Sequence, residues 1–189
     1  MTHTVTGAVR RAALVLAALL AVQPLFPLTV AKVGLEKMTR DARLVVRGIV
    51  LSSESRWEGR NILTRTRVRV LEALKGAAGD VVTVAQPGGT VGDITSQVAG
   101  APQLVRNEEV VLFLTEWKGE LWIHSIVLGK FSVARRDGVP VVVNDLGNVG
   151  LVDPVSGREI TDPADQRSLF PLEDFLAQVR LLAQKEGRP

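Results

Sequence analysis

The chain has no cysteine and no tyrosine, two histidines, and aromatic residues at only 4% of its 189 positions. Each shortage closes off chemistry. Without cysteine there is no disulfide, no thiolate nucleophile and no thiolate-bound metal. His3 lies in a segment that reads as a removable leader, so His124 is the one imidazole expected in the mature chain. A His–Cys pair and a two-histidine metal site are then excluded within one mature chain.

The leader is the clearest sequence signal. Arg10 and Arg11 form a basic start, residues 12–22 are an unbroken apolar run, and Thr29-Val30-Ala31 offers small residues for cleavage. This is the pattern of a secretory signal peptide, and it places the protein outside the cytoplasm, periplasmic or secreted. The competing reading is an uncleaved N-terminal membrane anchor. Gln23, Pro24 and Pro27 interrupt its second half, which favours a signal. No Cys follows the run, so a lipid-anchored form is excluded.

The expected division is residues 1–31 as signal and 32–189 as one domain, with a core near 41–143 and an extension over 144–189. A domain of this size buries about 70% of its unfolded surface, so packing alone must stabilise it. Setting aside Arg10 and Arg11 brings 23 basic against 20 acidic residues down to 21 against 20. So small a net charge gives no global reason to bind nucleic acid or an anionic membrane.

Along the mature chain, residues 34–42 predict a short leading helix from Leu35, Met38 and Ala42. Residues 43–51 predict a strand, followed by a polar stretch over 52–61 that carries Trp57. Residues 62–74 alternate most clearly, with Thr64, Thr66, Val68 and Val70 on one face and Arg65, Arg67 and Arg69 on the other. Residues 81–86 predict another strand. The glycine-punctuated segment 87–107 is long for a connection in a compact domain and hides a candidate strand at 94–98. Residues 110–117 and 120–128 predict a hairpin across Lys118-Gly119. Residues 130–135 and 139–143 predict a second across Asp137-Gly138, with Pro140 marking an edge strand. Leu172, Phe175, Leu176, Val179, Leu182 and Ala183 form one apolar stripe, so the chain closes with an amphipathic helix.

Many strands joined by short turns favour a small closed or partly open barrel. The succession Asp41-Ala42-Arg43-Leu44-Val45-Val46-Arg47-Gly48-Ile49-Val50, then Val68-Arg69-Val70-Leu71-Glu72-Ala73-Leu74-Lys75-Gly76, sharpens this. Asn107-Glu108-Glu109-Val110-Val111-Leu112-Phe113-Leu114 and Gly129-Lys130-Phe131 follow. The pattern resembles exported bacterial proteins of unassigned function and, more remotely, the netrin-like OB barrel of tissue inhibitors of metalloproteinases. The resemblance covers residues 41–133 and implies a mainly β, OB-like barrel with a short N-terminal helix and a C-terminal amphipathic helix. Those inhibitors reach zinc through an N-terminal cysteine. This chain has none, so no functional residue carries over.

His124 is expected in mid-strand, sharing a face with Trp122 and Ile126, while Ser125 points to the opposite face. That leaves it without a neighbouring nucleophile, and no catalytic residue is assigned. The arginine row reads as a solvated face paired with Glu54 or Glu72. Residues 87–93 lack the Lys-Ser/Thr ending of a phosphate loop. Glu108 and Glu109 are adjacent, so on a strand they point apart and form no carboxylate pair. Asp153, Glu159, Asp162 and Asp165 match no calcium-loop spacing. No cofactor or metal site is assigned.

Two features remain as candidates for recognition. Trp57, Gly88, Gly89, Thr90 and Asp93 would form the rim of a binding surface, or the glycines would simply serve a connector. Trp57, Trp117 and Trp122, if exposed together, would make a stacking platform for sugar rings or a partner's apolar group, or else would cap the core. The expected function is that of an exported, non-catalytic binding module directed at another extracytoplasmic protein. A structural envelope component and a carboxylate-dependent glycan hydrolase are the alternatives.

Overall fold

The computed structural model describes residues 29–31, 33–144, 146, 150–153, 155–156, 158–160 and 168–186. Most of the expected signal lies outside these residues, as do Asp162 and Asp165.

Strand β1 (Thr29–Ala31) is followed by helix α1 (Leu35–Asp41) and two long strands, β2 (Leu44–Glu58) and β3 (Asn61–Lys75). Then come β4 (Val81–Pro87), β5 (Gly89–Val91), β6 (Ile94–Ser96), β7 (Glu109–Trp117) and β8 (Glu120–Ile123). A short 3-10 turn (Ile126–Gly129) leads to β9 (Lys130–Arg136) and β10 (Val139–Asn144). Strands β11 (Gly150–Val152), β12 (Glu159–Ile160) and β13 (Ser168–Pro171) precede the closing helix α2 (Leu172–Glu186).

The main sheet runs β13-β10-β9-β7-β2-β3-β4-β8, and β8 also pairs with β7. That extra pairing bends five strands into a ring, β2-β3-β4-β8-β7 and back to β2. All its ladders are antiparallel except β4–β8. This is the connectivity of an OB-like barrel. Closure is partial, because the β4–β8 seam rests on two residue pairs, Val84 with Leu121 and Ala85 with Trp122. β2 is long enough to take part in the barrel and continue beyond it, and its ladder with β3 shifts register at three places. Such shifts bend a strand and increase its twist, as tight closure requires.

Alternation in β7 explains the packing. Val110 to Leu114 are all fully buried, which a one-sided sheet could not achieve. Val110, Leu112 and Leu114 point into the barrel with Leu44, Val46, Val50, Val68 and Val84. Val111 and Phe113 point outward and meet Met38 of α1 and Leu172, Phe175, Leu176 and Val179 of α2. The helices therefore cover one outer face of the sheet, and the strand is apolar on both sides. Arg180 of α2 donates twice to the Glu72 carboxylate on β3, at 2.7 and 2.9 Å. Lys75 caps the last carbonyls of α1 by donating to Thr39 and Arg40, both at 2.7 Å.

Several expectations need correction. The polar stretch after residue 51 continues β2 to Glu58, because Ser53 and Ser55 pair in register with Thr66 and Thr64 of β3. β8 stops at Ile123, so His124 lies in a turn followed by two non-glycine residues with positive φ, Ser125 and Ile126. Alternation therefore says nothing about its face. β10 is not an edge strand. It pairs with β9 and β13, and Pro140 is tolerated because the β13 ladder begins one residue later, at Val141. The Asp137-Gly138 turn has positive φ at both positions, as a type I′ hairpin demands.

Candidate functional site

The segment after β4 is an ordered hairpin, not a slack connection. β5 and β6 pair from Gly89–Ser96 to Val91–Ile94, turning at Gly92-Asp93. The Ile94 strand expected from sequence is thus real, though shorter than predicted. The hairpin is fastened to β3. The Gly88 amide donates to the Ile62 carbonyl at 2.8 Å, and the Thr64 hydroxyl donates to the Gly88 carbonyl at 2.6 Å. Beneath it, the Ser55 and Thr64 hydroxyls share a hydrogen bond of 2.8 Å. Gly89 lies directly on these hydroxyls with φ 131°, so a side chain there would collide with both and strain the backbone. Thr90 and Thr95 bond across the hairpin at 2.9 Å.

Beyond the hairpin the chain is tied down again. The buried Gln86 side chain donates to the Pro102 carbonyl at 2.6 Å, and the Asn107 amide donates to Val50 at 2.8 Å. Held at both ends, the segment exposes Ile94, Val98 and Val105. Trp57 lies two residues from Ser55 on the same face of β2 and is 48% exposed. Gly88, Gly89, Thr90, Asp93 and Trp57 thus belong to one surface.

Trp117 belongs elsewhere. It is 56% exposed and meets Trp122 edge-on, with ring centroids 5.5 Å apart. By alternation both lie on the outer face of β7 and β8, away from the face Trp57 shares with Ser55. The three tryptophans form no common platform. The β2–β3 and β7–β8 hairpins are nevertheless linked, because Arg65 is ion-paired with Glu58 and with Glu120, the latter at 2.7 Å. The partners expected for the arginine row were Glu54 and Glu72. Glu54 instead pairs with Arg56 and Glu72 with Arg180.

Sequence reasoning missed a half-buried network on β9. Glu108 accepts from Lys130 and from the Ser132 hydroxyl, both at 2.6 Å, and from the Val105 amide at 3.0 Å. Lys130 also donates to Ser132 at 2.7 Å. The alternate spacing of Lys130 and Ser132 was its only signal. A serine beside a lysine invites a nucleophile–base reading. Here the Ser132 hydroxyl donates to the Glu108 carboxylate and accepts from Lys130, so the lysine faces the serine as a donor and not as its base. Glu109 points away and pairs with Arg47 at 2.7 Å.

Burial works to raise the Glu108 pKa. The hydrogen bonds from Lys130, Ser132 and the Val105 amide, with the lysine's charge, outweigh it and hold the carboxyl below its ordinary 4.5. A depressed folded pKa stabilises the fold above the unfolded value and loses that contribution as pH falls through the folded one. Glu108→Gln should therefore flatten the acid limb of stability. Urea midpoints taken from about pH 7 down to about pH 2 should fall less steeply in the variant.

Burial lowers the His124 pKa, Asp41 opposes this and Lys37 reinforces it. Its amide donates to the Phe113 carbonyl at 2.8 Å, which anchors the turn to β7. Asp153 is engaged by the amides of Val155 and Ser156 and by the Ser156 hydroxyl. Among the described residues no three His, Asp or Glu side chains converge as metal ligands. A shallow cleft of about 170 Å³, lined in part by Arg47, Glu109, Arg135 and Leu172, contains none of the expected site residues. Among the described residues, no helix is long and apolar enough to cross a membrane. No family model and no curated protein matches the sequence.

Proposed function

We propose that this protein is an exported, non-catalytic binding module that recognises another extracytoplasmic protein through the β5–β6 hairpin and Trp57. The observation that carries the reading is the fastening of that hairpin. Two hydrogen bonds at Gly88 and a sterically required glycine hold a short ribbon against the barrel while Ile94, Val98 and Trp57 face solvent. A connector needs no such preorganisation, whereas a recognition loop gains affinity from it. The OB-like ring supports kinship with netrin-like barrels, from which no functional residue carries over. Residues 1–31 would serve export, and cleavage after Ala31 would leave the main sheet whole, since its first strand begins at Leu44.

The test is capture from an envelope or secreted fraction with the purified exported protein as bait. A partner should be retained by the parent protein. Retention should fall about tenfold or more in Trp57→Ala, as expected of an interface anchor. Gly89→Val should abolish retention by lifting the hairpin, while the barrel still unfolds cooperatively. Recovery of no protein above a control barrel would sink the proposal.

A further inference from the structure

The outer face of β7 and β8 carries a second arrangement, separate from the hairpin surface. Trp117 stands 56% exposed at the end of β7. Trp122 packs against it, with ring centroids 5.5 Å apart and ring planes at 76°. Lys118 lies over the ring, 4.5 Å from its centroid. Directly across the ladder from Trp117 is Glu120, and cross-strand pairs share a face with Cβ atoms about 5 Å apart. Glu120 accepts from Arg65 Nε at 2.7 Å, and Arg65 also pairs with Glu58. The Arg65, Glu120 and Glu58 side chains keep 32%, 34% and 42% of their surface open. They are oriented by each other yet still face solvent.

A positioned indole beside a fork of two carboxylates and a guanidinium has a definite chemical complement. The C–H face of a pyranose ring packs on an indole, which offers a broad apolar surface. Its hydroxyls donate to Glu120 or Glu58 and accept from Arg65, and hydrogen bonds to charged groups are the strong ones. Two carboxylates beside Arg65 and Lys118 leave the patch without net charge. An acidic sugar would meet the glutamates, and an apolar partner side chain would desolvate them without bonding them. A neutral, hydroxyl-rich ligand satisfies donors and acceptors alike. We infer that Trp117, Glu120 and Arg65 form a binding subsite for a neutral hexose unit of a glycan.

The test is titration calorimetry on the purified full chain with cellohexaose, maltohexaose and the hexamer of N-acetylglucosamine. At least one should bind saturably below about 10 mM, and Trp117→Ala should weaken that binding about tenfold or more. Glu120→Gln should weaken it about threefold, with Leu181→Ala unchanged. Thermal midpoints of all three variants should stay close to the parent's, since Trp117 and Leu181 are exposed and an open ion pair such as Glu120–Arg65 contributes little. Three outcomes would overturn the inference. One is no binding of any hexamer, and another is binding indifferent to Trp117→Ala. The third is a requirement for Trp117 in capturing a protein when no sugar binds. Loss of protein capture in Trp57→Ala bears only on the hairpin surface, so the two proposals fail separately.

Discussion

Phe175→Ala is expected to destabilise the domain by about 3–5 kcal/mol, the cost of removing a fully buried aromatic ring. Phe175 is 1% exposed. Its ring lies 4.7 Å from Phe131 and 6.3 Å from Phe113, edge-on to the latter, with Phe170 stacked at 5.8 Å. No neighbour can collapse into that space without opening the contact between α2 and the sheet. Total stabilities run to about 5–15 kcal/mol, so the variant should sit near the edge of folding. Urea unfolding should show a lower midpoint with little change in slope. Leu181→Ala, on the exposed side of the same helix, should cost no more than about 0.5 kcal/mol. A loss below about 1 kcal/mol for Phe175→Ala would mean that α2 is not docked on the barrel.

Lys130→Ala should cost about 3 kcal/mol, although a surface lysine normally contributes little. The difference lies in burial, because the Lys130 and Glu108 side chains are only 12% and 17% exposed. Removing the ammonium leaves the Glu108 carboxylate with Ser132 and the Val105 amide but without its countercharge. Removing both charges should be much milder. The double variant Lys130→Met with Glu108→Leu is expected to recover most of the loss, because neither replacement leaves an unpaired ion. A double variant as unstable as the single one would show that the pairing is not the cause. Ser132→Ala should cost about 1 kcal/mol, the usual worth of one hydrogen bond.

Some of the architecture was legible because it is written in local periods. The Arg-Thr alternation of β3 announced a half-buried strand, Asp137-Gly138 announced its turn, and the stripe from Leu172 to Val179 announced α2. Other elements were misread where two signals compete. Ser52 to Glu58 looks like a loop by polarity, yet Ser53 and Ser55 have hydroxyl partners on Thr66 and Thr64 at 2.8 Å that hold the strand together. His124 looks like strand by its neighbours, but the chain must turn sharply there to carry Phe131 back to the outer face. Trp57 and the Gly88-Gly89 pair lie at the same end of β2 and β3. Trp117 was not separable from them, because strand alternation does not say which face of a closed ring a distant strand will present.

Composition and order alone determined that no thiol chemistry is available, since the sequence holds no cysteine. They also determined that the body would be strands between two helices, since the two-residue period of a strand and the roughly 3.6-residue period of a helix are local properties of the backbone. Only the tertiary structure decided that β7 would be buried on both faces, that Arg65 would bridge two hairpins and that Glu108 would meet Lys130. Those outcomes depend on closing five strands into a ring. Closure is a property of the whole sheet's twist and register, and no short stretch of residues carries it.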